Sequence, residues 1–278
     1  MDEQGQNQQT YHVARVIDEW PADMDHPLFT TYPAMKLGQK QAVDFYADIL
    51  ARTVDRIREC HPDLSGWALM APPIFHLPAG ASLMARAVAD RLDGLTLVEP
   101  RLSRPIAGNG YAMAGLSVRA DNRRRQDEAL DRPRLMQELG GRPVIVINDI
   151  NVTGTQEAFL AQLLADVGAV VSHWNYVFAV DPDLGARYPQ LEHELNTNCL
   201  QSDEEFQKLL AASDTIPTAR CIERLFDMPM AGFKVLALGL SPNRCAALRA
   251  LAVGEGRYAS NIFAGKLDYL AERQVSDV

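Results

Sequence analysis

The chain has 278 residues and a formal net charge of −9, with 47% hydrophobic and 23% charged residues. This composition is typical of a folded protein with a sizeable core, and no apolar run approaches the roughly 20 residues of a membrane-spanning helix. The charge disfavours nucleic-acid binding through the whole surface, and the polar start MDEQGQNQQTYH lacks an apolar signal core. We therefore expect a cytoplasmic protein without a membrane or nucleic-acid partner.

The first part of the chain predicts an extension followed by a long helix. Residues 1–35 are turn-rich, and the stretch YHVARVIDEW predicts either a short strand or a short helix. Phe29 and Tyr32 lie in this segment and either pack on the core or meet a partner subunit. Residues 36–60 predict an amphipathic helix that Pro62 ends, because apolar side chains recur on one face. Those side chains are Val43, Tyr46, Ile49, Leu50, Val54 and Ile57.

A strand, a loop and a second helix follow. Residues 67–71 are short and apolar, as in a core strand, and a helix is predicted over residues 83–92. Between them, the backbone N–H groups of Gly80, Ala81 and Ser82 stand at a helix N-terminus, where an anion is favoured. His76, in the same loop, is either a ligand of that anion or a structural hydrogen-bonding residue.

Residues 95–98 predict another strand, and residues 100–131 form a long basic stretch. A loop of some thirty residues is unusual in a compact domain and is often a lid or a binding loop. Arginine binds phosphate oxygens with a two-pronged fork, so Arg101 and Arg104 are candidate ligands. The alternatives are a solvated helix of alternating charge and, more weakly, an RNA-contacting patch. The other arginines of the stretch are Arg119, Arg123, Arg124 and Arg125.

The sequence RPVIVINDINVTGTQ, residues 142–156, is the centre of the chain. Its β-branched run, residues 144–147, predicts a buried parallel strand, and a helix follows that Gly168 ends. Asp149 comes at the carboxyl end of the strand, where ligands bind in open α/β sheets, and it is suited to accept hydrogen bonds from sugar hydroxyls. Thr153, Gly154 and Thr155 lie in the turn before the helix, where hydroxyl and N–H donors suit a phosphate. Together these residues describe a ribose-5-phosphate site.

The stretch VIVINDINVTGTQ resembles the phosphoribosyl-pyrophosphate (PRPP) loop of type I phosphoribosyltransferases. That motif has four apolar residues, two acids, two apolar residues, two small or hydroxyl residues, Gly, any residue, and Ser or Thr. The run APPIFHLPAGASLMARAVADRL is also similar to the ComF-like branch of the family. The resemblance implies an α/β fold, in which a parallel sheet flanked by helices forms a phosphoribosyltransferase-like core at residues 36–184.

The resemblance also assigns roles by position. Asn148 and Asp149 take the places of the two acids that hold the ribose hydroxyls, as the catalytic pair. The substrate loop that wraps the 5-phosphate is made of Val152, Thr153, Gly154, Thr155 and Gln156. The loop around residues 76–82 corresponds to the one that holds the pyrophosphate, and the basic stretch to a lid that closes over PRPP. Mg²⁺ is expected to arrive with PRPP and to be held mainly by substrate and water, with Asp149 as the one residue placed to contact it.

The chain departs from the motif at three positions. Asn148 stands in the place of the first acid, so it brings no charge, and Gln156 stands in the place of the last hydroxyl residue. Val152 occupies the place at which purine-salvage enzymes of the family carry a base-protonating Asp. This residue argues against hypoxanthine or guanine as the acceptor.

The rest of the chain predicts one more strand and a helical part. Residues 169–180 predict a strand, and Asp181 after it is a candidate for acceptor recognition or, alternatively, a helix-capping residue. Residues 185–278 predict a mostly helical C-terminal part, in which Ser202 and Glu205 form a capping box. Residues 233–240 are either strand or helix. In the family this part supplies acceptor specificity.

We therefore expect an enzyme that transfers 5-phosphoribosyl from PRPP to an acceptor and releases pyrophosphate. The alternatives are a non-catalytic PRPP or nucleotide sensor, and a related ribosyl-transfer enzyme in a stress-response or specialised pathway. A small phosphoribosyl compound is the expected partner, and a homodimer would agree with the family, in which oligomers are common.

Overall fold

The computed structural model describes residues 10–20, 24–105, 124–169, 171–197 and 202–275. Its centre is a five-stranded sheet in the order β1-β5-β4-β2-β3, and every pair of neighbouring strands is parallel. The prediction of a parallel sheet flanked by helices is confirmed. The strands are β1 Thr10–Ile17, β2 Ala68–Met70, β3 Thr96–Val98, β4 Pro143–Asn151 and β5 Val171–Val180.

Strand β4 lies in the middle of the sheet because it is apolar on both faces. Val144 and Val146 pack into one core with helical residues such as Leu135 and Leu163. Ile145 and Ile147 point the other way, into a second and larger core. A strand buried on both faces needs helices on both sides of the sheet, and this arrangement is typical of parallel α/β folds.

Up to residue 197, eight helices of the described residues flank the sheet, and residues 124–129 form one further short helix. The predicted helix at 36–60 is divided in two. Gly38 adopts φ +93° and ends the first helix. Glycine is needed at this position, because a side chain there would meet the Ile216 carbonyl oxygen at 1.8 Å. The helices are α1 Pro27–Thr30, α2 Tyr32–Leu37, α3 Lys40–Cys60, α4 Gly80–Ala89, α5 Arg132–Leu139, α6 Thr155–Asp166, α7 Pro182–Arg187 and α8 Leu191–Thr197.

The segment predicted as an N-terminal extension is built into the main body of the protein. Strand β1 pairs with β5, so the strand alternative for this stretch holds. Phe29 and Tyr32 are fully buried, and the Phe29 ring stacks on Phe178 with 5.2 Å between the ring centroids. Both residues therefore pack on the core, which was one of the two alternatives for them.

Every described element after β5 is helical, as predicted for the C-terminal part. Residues 233–240 belong mainly to a helix, and the capping box of Ser202 and Glu205 is present. Among the described residues, no helix has both the length and the apolar character needed to cross a membrane. The elements are α9 Asp203–Ala211, α10 Ala219–Asp227, α11 Met230–Leu238, α12 Pro242–Gly254, the 3-10 helix Arg257–Ala259 and α13 Ala264–Val275.

The C-terminal helices are fastened to the α/β part by hydrogen bonds and by a shared core. Leu37 and Leu77 of the α/β part lie in the same apolar cluster as Phe226 and Phe233. The Thr218 hydroxyl donates to the Lys36 carbonyl at 2.6 Å, and Ile216 N donates to the carbonyl of Gly38 at 2.9 Å. Helix α2 therefore contacts both parts of the molecule.

Candidate functional site

The strand order creates a crevice at the carboxyl end of the sheet. From β2 the chain moves outward to β3, whereas from β4 it moves in the opposite direction to β5. The connections after β2 and β4 therefore diverge, and ligands in open α/β sheets bind at such a point. A cleft of about 300 Å³ lies there, and its lining includes Asp149 near the carboxyl end of β4 and Gly80 at the start of α4.

The turn after β4 brings its polar groups together, and they bind one another. Gly154 adopts φ +70° and precedes α6, while its N–H donates to Asn151 Oδ1 at 2.9 Å. The hydroxyls of Thr153 and Thr155 are 2.9 Å apart. The hollow inside this turn measures about 20 Å³, enough for about one water molecule. A phosphate would need Asn151 to release Gly154 and the two hydroxyls to separate.

Asn148 and Gln156, two of the departures from the motif, are hydrogen-bonded to each other. Asn148 Nδ2 donates to Gln156 Oε1 at 3.0 Å, and Asn148 Oδ1 accepts from the Asp149 N–H at 3.0 Å. Asn148 is buried at the end of β4, whereas Gln156 lies in the first turn of α6. The amide pair closes the turn against the strand, and it uses both polar ends of Asn148.

Asp149 is buried and binds two side chains from helix α2. Its Oδ2 accepts from Lys36 Nζ at 2.5 Å and from the Tyr32 hydroxyl at 2.6 Å, and Lys36 also lies 3.2 Å from Glu192 Oε1. Tyr32 and Lys36 are four residues apart, so they share one face of the helix. Sequence reasoning missed Lys36, although this spacing was a usable signal once α2 was known to face the sheet.

The groups of this cluster determine one another's protonation states. Burial by itself raises the pKa of Asp149, but the Lys36 ammonium and hydrogen bonds from Lys36 and Tyr32 outweigh burial and hold that pKa below its ordinary value. Burial lowers the pKa of Lys36, yet the carboxylates of Asp149 and Glu192 outweigh it, and the net shift is upward. Burial and the Asp149 charge raise the pKa of Tyr32. At neutral pH the cluster therefore holds a carboxylate, an ammonium and a neutral phenol donor.

The first turn of α4 forms the opposite wall of the cleft. Gly80 and Ala81 line it, and the N–H groups of a first helical turn have no intrahelical carbonyl partners. Ser82 is buried and its hydroxyl is used locally, because it accepts from Ala79 N and donates to the Ala79 carbonyl, both at 2.8 Å. A side chain at Gly80 would meet Met35 Sδ at 2.6 Å, so the glycine leaves room for the Met35 side chain.

Three residues predicted to contact the ligand lie elsewhere within the described structure. His76 is exposed and its ring lies against Gly254. Arg101 pairs with Glu99 at 3.0 Å, and Arg104 pairs with Glu128 at 3.2 Å. None of these residues lines the cleft. Each arginine has a nearby carboxylate, which neutralises it without any ligand.

Asp181 takes the capping role that was its alternative. Its Oδ1 accepts from the N–H groups of Asp183 and Leu184, at 3.0 and 3.1 Å, and so begins α7. Most of the predicted lid, with Arg119 and Arg123, lies outside the described residues. Arg124 and Arg125 are exposed on the helical segment that follows.

The cations that line the cleft come from helix α2 and from the C-terminal part. Besides Lys36 they are Arg220, in the first turn of α10, and Arg257, in the 3-10 helix. Arg220 Nη1 donates to Glu223 Oε2 at 2.9 Å, and Arg257 Nη1 lies 3.8 Å from Glu223 Oε1. Sequence reasoning missed both arginines, because neither belongs to a recognisable motif.

Among the described residues no group of three or more His, Cys, Asp or Glu has an arrangement that could hold a metal ion. Asp149, the one residue expected to contact Mg²⁺, has its Oδ2 occupied by Lys36 and Tyr32. This oxygen does not fit a direct protein–Mg²⁺ contact, and no step below depends on one.

No protein-family model matches the chain, and a search of curated proteins found no match.

Proposed function

We propose that this protein binds a 5-phosphoribosyl compound in the cleft and transfers the 5-phosphoribosyl group from PRPP to an acceptor, with release of pyrophosphate. One observation carries the proposal. Asp149, Gln156 and the first turn of α4 line one cleft, at the point where the strand order reverses, and the turn at residues 152–156 lines a small adjoining hollow that shares Ile150, Gln156 and Glu192 with that cleft. The sequence suggested these features in two separate stretches, and a ribose with a phosphate at each end would reach from the hollow into the cleft.

The 5-phosphate is placed on the turn between β4 and α6. The Gly154 N–H, the two threonine hydroxyls and the N-terminus of α6 supply donors and a favourable dipole. The Gly154 N–H donates to Asn151 Oδ1. Phosphate binding would therefore replace this neutral acceptor with a charged and stronger one. The turn therefore binds phosphate with a local rearrangement of side chains rather than as a preformed cradle.

The ribose is placed against Asp149. Its hydroxyls can donate to the carboxylate, and Tyr32 and Lys36 keep that carboxylate charged and in a fixed orientation. Such fixed groups favour transfer by orienting the reacting carbon rather than by forming a bond with it. The phosphate-bearing C1 of the ribose would then face the first turn of α4, whose N–H groups suit the leaving pyrophosphate.

A non-catalytic PRPP sensor is the second candidate, and a specific observation favours it. Asn148 brings no charge to the ribose, and its amide is engaged by Gln156 and by the Asp149 N–H. The developing positive charge of an oxocarbenium-like centre would thus meet one carboxylate instead of two. Binding without turnover is the behaviour that this loss predicts.

The first test measures binding by titration calorimetry with PRPP and with ribose-5-phosphate, each with and without Mg²⁺. Asp149→Asn is the test variant, since it keeps the shape and removes the charge. Asp55→Asn, an exposed carboxylate on α3, is the matched control. We expect both ligands to bind to the unmodified protein and to Asp55→Asn, with a loss of about tenfold or more in Asp149→Asn. No binding of either ligand to the unmodified protein would refute the proposal.

A second measurement separates the enzyme from the sensor. Pyrophosphate release is followed with PRPP and a panel of nucleobases and amines as acceptors, for the unmodified protein and for Asn148→Asp. Turnover in the unmodified protein supports the transferase. PRPP binding without turnover, together with turnover in Asn148→Asp, supports the sensor.

A further inference from the structure

We propose that Arg220 and Arg257 of the C-terminal part form the subsite for the diphosphate group of the phosphoribosyl donor. This inference rests on the proposed function. It assigns protein groups to the diphosphate end of the donor, which the α/β part alone does not fully surround. Both guanidinium groups line the same cleft as Asp149 and the first turn of α4. The C-terminal helices would then be part of the active site rather than an appendage.

The two arginines are held in place by contacts with the loop before α4. The N–H of Ala219, the residue before Arg220, donates to the Pro78 carbonyl at 2.9 Å. Arg257 Nη2 lies 3.5 Å from the Ala219 carbonyl, and Glu255 Oε2 accepts from the Leu77 N–H at 3.0 Å. These contacts fix residues 219 and 255–257 next to residues 77–81. The arginines and the α4 amides therefore converge on one region of the cleft.

The pair has hydrogen-bonding capacity that the protein does not use. Glu223 lies between the guanidinium groups and binds Arg220 Nη1 at 2.9 Å, but each guanidinium has five N–H donors. The Nε of Arg257 is buried and has no hydrogen-bond partner among the described residues. Only 30% of the Arg220 side chain and 19% of the Arg257 side chain is exposed, so an anion there would be partly shielded from water. Two guanidinium forks match the several oxygens of a diphosphate.

The charges of the cleft indicate in what form the diphosphate binds. Among the residues that the structure describes, the cations of the lining are Lys36, Arg220 and Arg257, whereas the carboxylates are Asp149, Glu192, Glu223 and Glu255. These three positive and four negative groups do not neutralise a bare diphosphate. A complex with a divalent cation carries less negative charge, and phosphates and water supply most ligands of Mg²⁺ in such complexes. We therefore infer that the group binds as its Mg²⁺ complex.

The test compares three ligands by titration calorimetry in the presence of Mg²⁺: ribose-5-phosphate, PRPP and pyrophosphate. The variants are Arg220→Gln and Arg257→Gln in the full chain. Arg134→Gln, which removes an exposed arginine paired with Glu138 on α5, is the control for a lost positive charge. We expect each test variant to bind PRPP and pyrophosphate about 10- to 100-fold more weakly, because a hydrogen bond to a charged group is lost. Ribose-5-phosphate affinity should be unchanged, which also shows that the variants fold.

The outcomes distinguish this inference from the function on which it rests. PRPP and ribose-5-phosphate binding in the unmodified protein, with equal PRPP affinity in all variants, refutes the arginine subsite and leaves the proposed function standing. A further variant, Arg104→Gln, tests the basic stretch: loss of PRPP affinity in this variant, with unchanged affinity in Arg220→Gln and Arg257→Gln, would overturn the arginine subsite. Pyrophosphate binding that requires both arginines, without ribose-5-phosphate binding, would support the subsite while the proposed function fails. No binding of pyrophosphate or PRPP refutes both.

Discussion

Asp149 and Lys36 place two opposite charges at the end of the central strand, with almost no access to water. The Nζ–Oδ2 distance is 2.5 Å, and Tyr32 donates to the same oxygen. Burial of each charge alone would be costly, so each is retained because the other is present. The pair keeps Asp149 ionised and oriented when no ligand is bound.

Removing one partner of this pair should destabilise the protein strongly. We expect Lys36→Met to lower the free energy of unfolding by about 3–5 kcal/mol at pH 7, since Asp149 remains buried without a cation. The control is Lys40→Met, which breaks the exposed pair with Asp44 on α3 and should cost less than about 1 kcal/mol. Urea denaturation of both variants measures the difference. Equal losses in the two variants would contradict this account of the buried pair.

We also expect the stability lost in Lys36→Met to depend on pH. The pKa of folded Asp149 is lowered, so its contribution to stability is present above the unfolded pKa of about 3.9 and is lost as pH falls through the folded value. In Lys36→Met the lowering influence is gone, while burial still favours the neutral acid. The stability difference between the two proteins should therefore be largest near pH 7 and shrink below about pH 4. A constant difference across this range would show that Asp149 is not the group involved.

The candidate site was predictable where its residues lie directly after, or at the end of, a predicted strand. Asp149, Gly80 and Ala81 surround one cleft because the carboxyl ends of neighbouring parallel strands lie together, and that rule needs only the strand assignments. Lys36 lies 113 residues from Asp149 in the chain, and its contact depends on how α2 packs. Arg101 and Arg104 were predicted from the basic, loop-like character of their stretch and from the lid that the resembled family has there, and neither signal shows the carboxylates that the two arginines meet.

At the level of elements, helix α7 forms a wall behind the turn between β4 and α6. A side chain at Gly185 would lie 2.1 Å from the Val152 carbonyl oxygen, and that contact is with backbone rather than with a movable side chain. A cavity of about 390 Å³ adjoins the same contact and is lined by Thr153, Gly154 and Glu157 on the side of the turn. The position of the turn is therefore set by the close approach of α7.

Gly185→Ala should displace the turn. We expect a loss of about 1–3 kcal/mol in the free energy of unfolding from overpacking, together with weaker ribose-5-phosphate binding. Gly265→Ala in α13 is the control, because a side chain there has no heavy atom within 4 Å. That change should be neutral or stabilise by up to about 1 kcal/mol. Thermal unfolding and calorimetry measure the two effects, and unchanged stability in Gly185→Ala would mean that α7 moves freely.

The elements themselves were predicted well where the apolar pattern is long. The β-branched run at residues 144–147 corresponds to β4, because burial on both faces leaves a pattern that needs no tertiary information. The strand predicted at residues 169–180 corresponds to β5, which lies between β1 and β4. The break at Gly38 was not predicted. The helical pattern is interrupted at this glycine. The Ile216 carbonyl, 178 residues later in the chain, approaches it from the C-terminal part.

At the level of the whole molecule, the two parts should unfold together. The C-terminal core includes Leu37 and Leu77 of the α/β part, so that core is incomplete without the α/β part. All three tryptophans, Trp20, Trp67 and Trp174, lie in the α/β part, whereas circular dichroism reports the helices of both. Urea unfolding followed by tryptophan fluorescence and by ellipticity at about 222 nm should therefore give coincident midpoints. A second transition seen only by circular dichroism would show that the C-terminal helices fold separately.

The pairing of β1 with β5 has a consequence for synthesis on the ribosome. His12 lies beside His173, 161 residues later, so the first strand made is the last to find its neighbour in the sheet. At translation rates of about 5–20 residues per second, β1 waits on the order of 10–30 s before β5 exists. Strands β2, β3 and β4 can pair before that moment. The nascent chain therefore carries its own edge strand, unpaired, through most of its assembly.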